Sequence, residues 1–256
     1  MPYFDELDDL PAADLLAWAI RTFGDRFCIS TSFQRSGMVV IDMAVRISPK
    51  VRIITLDTGR LPQETYEMMD ILRDRYGVAV ETVLPDPQEV QAMVRRHGVN
   101  LFRRDPALRM LCCHIRKVRP LERKLKQFRA YAVGLRRLTS WNRNEIRKVE
   151  DKDGVIKISP IADWTRQEID DYIQRHSVPL HPLYQRGYAS IGCAPCTRPV
   201  KNGEPERAGR WWWEDALPKE CGLHFRADGT IGRKLDVLIE EVTQATNGYG
   251  FDGSGI

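Results

Sequence analysis

The sequence lacks any apolar run approaching the roughly 20 residues that a membrane-spanning helix needs, so no membrane partner is expected. Its opening ten residues are acidic and carry no basic-then-apolar leader, which makes the cytoplasm the expected compartment. Net charge is also scarce. The 39 basic side chains exceed the 35 acidic ones by too little, +4, to suggest nucleic acid as a partner. There is no internal repeat and no low-complexity block, which excludes a solenoid or a tail-like chain. What is present is ordinary for a folded protein: 43% hydrophobic and 29% charged residues over 256 positions. That length suits one large or two small domains and buries a core without disulfide staples.

The alternation of elements predicts an α/β fold. A helical stripe places Leu7, Leu10, Leu15, Leu16 and Ile20 on one face. Residues 27–30 read as a buried strand, 38–47 as a helix and 51–56 as the next strand. Pro62 opens a further helix, 78–84 is a third strand, and a Pro-Asp-Pro turn leads into a helix over 88–96. A basic helix over 115–128, a strand over 130–134 and another over 155–159 continue the pattern. Thr165-Arg166-Gln167-Glu168 is a capping box that starts a helix running through Ile173. Repeated strand–helix–strand units imply a mainly parallel sheet flanked by helices. From 178 to 222 the periodicity dissolves into Pro, Gly, Cys and Trp, and so long an irregular stretch signals function. An amphipathic stretch over 231–242 follows, then a Gly-rich tail expected to be disordered.

Six cysteines stand out: Cys28, Cys112, Cys113, Cys193, Cys196 and Cys221. In a reducing compartment, clustered thiols read as metal ligands or redox groups rather than disulfides. Cys112-Cys113 with Cys193-x-x-Cys196 offers four thiolates, which suit a tetrahedral zinc or an iron–sulfur cluster. The adjacent pair favours the cluster, because zinc knuckles prefer ligands two to four residues apart. The plain alternative is buried apolar cysteines and a chance CxxC. Cys221 lies between Lys219 and His224, where a thiolate would be stabilised as a nucleophile; a structural thiol is equally consistent with that context. Cys28, in a buried strand, reads as an inert core thiol.

Two strand-end turns and a set of cations complete the candidates. Ser30-Thr31-Ser32-Phe33-Gln34 and Leu56-Asp57-Thr58-Gly59-Arg60 sit where an open parallel sheet binds ligands, with hydroxyls and amides suited to phosphate. Asp57 and Gly59 equally suit a bare turn. Lys117, Arg136, Arg207 and Arg210 suit phosphate or sulfate oxygens, although any one of them taken alone reads first as a solvated surface residue. Lys117 is set apart by lying one helical turn past Cys113.

Taken together these motifs resemble the assimilatory sulfonucleotide reductases, of the adenine-nucleotide alpha-hydrolase-like group. The resemblance rests on Thr31-Ser32-Phe33, Leu56-Asp57-Thr58-Gly59-Arg60-Leu61, Cys112-Cys113-x-x-Arg116-Lys117-Val118-x-Pro120-Leu121, Gly134-Leu135-Arg136-Arg137, Gly192-Cys193-x-x-Cys196-Thr197, Gly209-Arg210-Trp211-Trp212-Trp213-Glu214 and Glu220-Cys221-Gly222-Leu223-His224. They run in order through most of the chain. Possession of all four paired cysteines is similar to the members that act on adenosine 5′-phosphosulfate (APS) and hold a [4Fe-4S] cluster. Relatives acting on the 3′-phosphorylated nucleotide (PAPS) typically lack them.

The resemblance implies Cys221 as nucleophile, the four paired cysteines as cluster ligands, and thioredoxin as the reducing partner. It implies anion contacts from Lys117, Arg136, Arg207 and Arg210, a positioning role for His224, and substrate contacts from the two turns through Ser30, Ser32, Phe33, Leu56, Asp57, Thr58 and Gly59. It divides the chain into a nucleotide- and cluster-binding domain (1–200), a mobile catalytic segment (201–230) and a helical, Gly-rich tail (231–256). A homo-oligomer is compatible with it. Two rivals share the fold: a PAPS reductase and a cluster-bearing tRNA sulfur transferase. The latter would need a Ser-Gly-Gly-x-Asp-Ser loop, absent from residues 30–37. The chain departs from the family pattern in two places. The turn after Ser32 reads Phe33-Gln34-Arg35-Ser36-Gly37 where an acidic pair is common, and the chain runs 32 residues past His224.

Overall fold

A computed structural model describes residues 3–137, 146–214 and 229–247. In chain order the principal elements are α1 (Tyr3–Asp8), α2 (Ala12–Phe23), β1 (Phe27–Thr31), α3 (Arg35–Ile47), β2 (Arg52–Leu56), α4 (Gln63–Tyr76), β3 (Val80–Val83), α5 (Pro87–His97), α6 (Pro106–Cys113), a π-helical turn (His114–Val118), α7 (Arg119–Leu125), β4 (Ala130–Ala132), β5 (Val149–Lys152), β6 (Val155–Ile158), α8 (Arg166–His176) and α9 (Gly229–Asn247). The sheet order is β3-β2-β1-β4-β6-β5. Every neighbouring pair is parallel except the β5–β6 hairpin at the edge.

Strand periodicity distributes the core over both faces. Phe27, Ile29, Ile53, Ala130 and Ala132 join residues of α2, α3, α4 and α8 in the main core. The intervening Cys28, Ile54 and Tyr131 face Phe128 and the leucines of α7. A parallel sheet covered on both faces is the arrangement βαβ crossovers produce. Among the described residues no helix is long and apolar enough to cross a membrane.

Three elements differ from the sequence reading. The first helical stripe is two helices, α1 and α2, separated around Pro11, whose ring cannot continue the first. Residues 149–152 form an antiparallel strand that turns through Asp153 and Gly154, both at positive φ. The basic helix is composite: α6 begins at Pro106 under an Asp105 cap, passes through the π turn, and resumes as α7. Pro120 explains the widening. It has no N–H to offer the carbonyl four residues back, and Arg119 N–H instead reaches His114 O, an i−5 bond.

Candidate active site

Strand order sets the site. From β1 the chain moves outward through β2 and β3, then returns across β1 to β4, so the strands diverge at the carboxyl ends of β1 and β4. A ligand crevice belongs there. The structure has a cleft of about 1010 Å³ lined by Ser30, Thr31, Ser32, Leu56, Thr58, Lys117, Arg136, Arg207 and Arg210, among others. The amino end of α3 contributes Arg35, Ser36 and Gly37, where the positive end of the helix favours an anion. Gly134 is required by a close approach: a Cβ on it would lie 2.5 Å from Gly37 N.

Beside the cleft lies a small cavity lined by Cys112, Cys113, Cys193 and Cys196. The first two end α6; the other two belong to a 3₁₀ turn fastened to its surroundings by the backbone. Ala194 N–H donates to Arg60 O at 2.8 Å, and Trp211 N–H donates to Cys196 O at 3.2 Å. Lys117 and Arg210 line both spaces. The Arg210 guanidinium donates to Ile191 O at 3.2 Å and stacks over Trp211 at 4.7 Å. Gly192 makes room for it, since a Cβ there would meet the guanidinium at 2.3 Å. Trp211 also carries Arg109 at 4.5 Å, and Arg109 is paired with Glu214 at 2.8 Å.

The thiols are electrostatically unequal. Burial pushes the Cys193 thiol up, but the Lys117 charge, the Thr58 hydroxyl (3.2 Å from its sulfur) and Arg210 outweigh it and hold the thiol below its ordinary range. Burial raises Cys112 against the opposing charge of Arg116. Cys196 is pushed up to about 12 by burial and by the neighbouring Cys193 charge. Cys28, in the sheet, is raised further by burial.

The donor chemistry of this cavity fits an anionic thiolate-bound group. Arg116 Nε, Arg210 Nε and Trp211 Nε1, in residues lining it, are buried without a hydrogen-bond acceptor. Buried donors of this kind await a negative partner. Among the described residues no three His, Cys, Asp or Glu side chains are gathered tightly enough for a single metal ion. Cys112, Cys113, Cys193 and Cys196 are the four-thiolate set that would hold an iron–sulfur cluster.

The structure separates the other sequence candidates. Phe33 is fully buried in the main core, with a left-handed φ of 55°. Asp57 organises its turn, accepting from Gly59 N–H at 2.8 Å and Tyr66 O–H at 2.9 Å. Gly59 packs against Arg116, whose guanidinium donates to Thr58 O at 2.7 Å. Cys221 and His224 lie outside the described residues. Two residues outside the named candidates also belong to the site, Gln34 at the end of the first turn and Tyr184. Gln34 Oε1 accepts from Ile191 N–H at 3.0 Å, and the Tyr184 hydroxyl accepts from Arg35 N–H at 3.1 Å. Arg109 is a third that sequence reasoning passes over, because position within a helix is its only signal.

The fold and its nucleotide-sized cleft define a protein of the adenine-nucleotide alpha-hydrolase-like class. The same fold occurs in a mutant form of the FMN adenylyltransferase of Candida glabrata, with a TM-score of 0.54 and 13% identity over 80% of this chain and 68% of that one. The phosphoadenylyl-sulfate reductase of Candida auris, solved with phosphate, is similar at a TM-score of 0.66 and 26% identity over 77% of this chain and 97% of that one. Residues 26–199 match the phosphoadenosine phosphosulfate reductase domain, and the chain belongs to that family. It is 44% identical to the adenosine 5′-phosphosulfate reductase of Streptomyces coelicolor over 86% of this chain and 90% of that one. It is 42% identical to the Allochromatium vinosum protein of the same name over 84% of each.

Proposed function

We propose that this chain reduces APS to sulfite and AMP in sulfate assimilation, with Cys221 as nucleophile and thioredoxin as reductant. The observation that carries it is the shared wall between cleft and cysteine cavity, where Lys117 and Arg210 face both. Such cations hold an anionic substrate at the edge of a thiolate-rich site. The names of the relatives support APS as the substrate. Cys112, Cys113, Cys193 and Cys196 would hold a [4Fe-4S] cluster, which when bound supplies negative charge beside Lys117. A reducing compartment, the cytoplasm, suits both the free thiols and such a group.

The chemistry balances within the protein and its partner. The Cys221 thiolate attacks the sulfur of APS, an S–S bond forms, the S–O bond breaks, and AMP leaves with the electron pair. Lys117, Arg136, Arg207 and Arg210 neutralise the charge that builds on the departing phosphate. One thioredoxin thiolate then attacks Sγ of Cys221 and releases sulfite. The second thiol resolves the mixed disulfide, so two electrons pass from the dithiol to sulfur.

The test is sulfite release from APS and from PAPS with reduced thioredoxin, alongside iron analysis. Preference for APS and about four irons per chain are expected; a strong preference for PAPS would overturn the substrate assignment. Lys117→Ala should lower kcat/KM about 100-fold with iron retained, and unchanged kinetics would remove Lys117 from the reaction.

A further inference from the structure

Cys112 and Cys113 end α6, whereas Cys193 and Cys196 belong to a 3₁₀ turn far along the chain, and no helix or strand is common to the two pairs. A group bound by all four thiolates needs both pairs held at one separation. Contacts between loops must set it. One bridge is Trp211, whose N–H donates to Cys196 O while its ring carries Arg109 of α6. Another passes through the turn after β2, at Arg60.

Arg60 engages the CxxC turn through its backbone. Its carbonyl accepts from Ala194 N–H at 2.8 Å, within a turn closed by Cys196 N–H on Cys193 O at 2.9 Å. Its own N–H donates to Thr58 Oγ1 at 3.2 Å, and that hydroxyl lies 3.2 Å from Cys193 Sγ. The side chain engages the loop that leads into α6. Nη1 donates to Val99 O at 2.7 Å and Nη2 to Asn100 Oδ1 at 3.2 Å. The guanidinium also lies over the Phe102 ring at 4.9 Å. Phe102 is buried in the apolar cluster that contains Leu108, Leu111, Cys112 and Cys113. Arg60 and Phe102 both line the cysteine cavity.

Lysine cannot reproduce this set of contacts. An ammonium is a compact point charge, whereas the planar guanidinium fork serves two acceptors at once and lies flat on a ring. Charge is a separate contribution: burial raises the Cys112 thiol, and Arg60 joins Arg116 and Lys117 in opposing it. Substitution can therefore separate a strut from a charge.

We propose that Arg60 is a strut that fixes the spacing of the two cysteine pairs, and so a positioning residue for the four-thiolate site. The inference rests on Cys112, Cys113, Cys193 and Cys196 being the ligands. Residues that orient ligands change metal affinity about 10- to 100-fold when removed. Loss of the fork loosens one pair against the other, so bound iron escapes faster from a protein that stays folded.

The experiment follows first-order release of iron to a chelator, under argon, from the iron-loaded full-length protein. Iron per chain at the start, visible absorbance during release and the melting curve are read for each variant. Arg60→Met keeps an apolar stem and removes both fork and charge; Arg60→Lys keeps the charge alone. Both should release iron about 10-fold faster than wild type, and Asn100→Ala, which removes one acceptor, about 3-fold faster. Arg52→Met breaks an ion pair with Glu81 in the sheet; it should lower Tm and leave iron release at the wild-type rate. Wild-type release from Arg60→Met would overturn the strut. Wild-type release from Arg60→Lys would assign the effect to charge and overturn it too, a test that stands even if Arg60→Met does not fold. Equal acceleration by Arg52→Met would trace the effect to general stability and likewise overturn it. A wild type that takes up no iron would sink the ligand assignment itself, and the strut with it.

Discussion

Around β1 and β2 the molecule buries Ile29, Ile53, Val40 and their neighbours, almost wholly apolar. Around α6 it buries Arg109, Arg210, Trp211 and four thiols instead. The first region satisfies its rare charge internally: burial disfavours the Asp42 carboxylate, but Arg46, Tyr172 and Tyr76 outweigh it and hold its pKa low. The second leaves buried donors on Arg116, Arg210 and Trp211 without acceptors. Apolar burial is stable by itself, whereas unsatisfied buried donors cost free energy until a partner arrives. The contrast separates a scaffold from a site that depends on what it binds.

The largest test of that contrast removes ligands from one region only. Cys193→Ser/Cys196→Ser should abolish bound iron and lower the thermal stability of the α6 region, while hydrogen exchange of β1 and β2 stays slow. Iron retained at the wild-type level would contradict the ligand assignment. Next in size is Arg109→Ala, which leaves Glu214 with its charge largely buried. Breaking such a pair costs about 3–5 kcal/mol, measurable by urea unfolding. A loss near zero would mean that Glu214 finds water at once.

A smaller effect belongs to the scaffold. Thr165 accepts from Glu168 N–H, and Glu168 reaches back to Thr165 N–H. Thr165→Ala should cost about 1 kcal/mol and leave iron content untouched; a change in iron would show that the two regions are coupled.

The subtlest test is one of pH. His181 is buried between Thr65 and Leu183 N–H, and burial lowers its pKa to about 4. An unfolded histidine titrates near 6.5, so above that value its contribution is fully present. Between 6.5 and 4 the unfolded chain binds a proton that the folded one refuses, and stability falls. Below 4 there is no further loss. The Tm of wild type should therefore drop more between pH 7 and pH 5 than that of His181→Gln; equal drops would contradict it.

Legibility in the sequence divides along the same boundary. Parallel strands show as short apolar runs between helices, and the observed β1 and β2 lie within a residue of those runs. The edge strand β5 escapes that signal because Val149-Glu150-Asp151-Lys152 is polar, and only its Asp-Gly turn betrays it. The cysteine pairs and Lys117 are legible as motifs. Their neighbours are not. Arg109 looks like any helical arginine, and its burial comes from Trp211 and Glu214, a hundred residues away in sequence. Phe33 shows the converse, since a residue inside a motif serves the core. Long-range packing of charge leaves no local pattern to read.

The central claim is that Cys221 takes sulfur from APS at the edge of the cleft. Intact-protein and peptide mass spectrometry after mixing the iron-loaded protein with APS, with no thiol present, tests it directly. The account predicts one sulfite-sized adduct on Cys221, stoichiometric with released AMP and discharged by reduced thioredoxin. AMP released by a catalytically active protein whose Cys221 stays unmodified would contradict it.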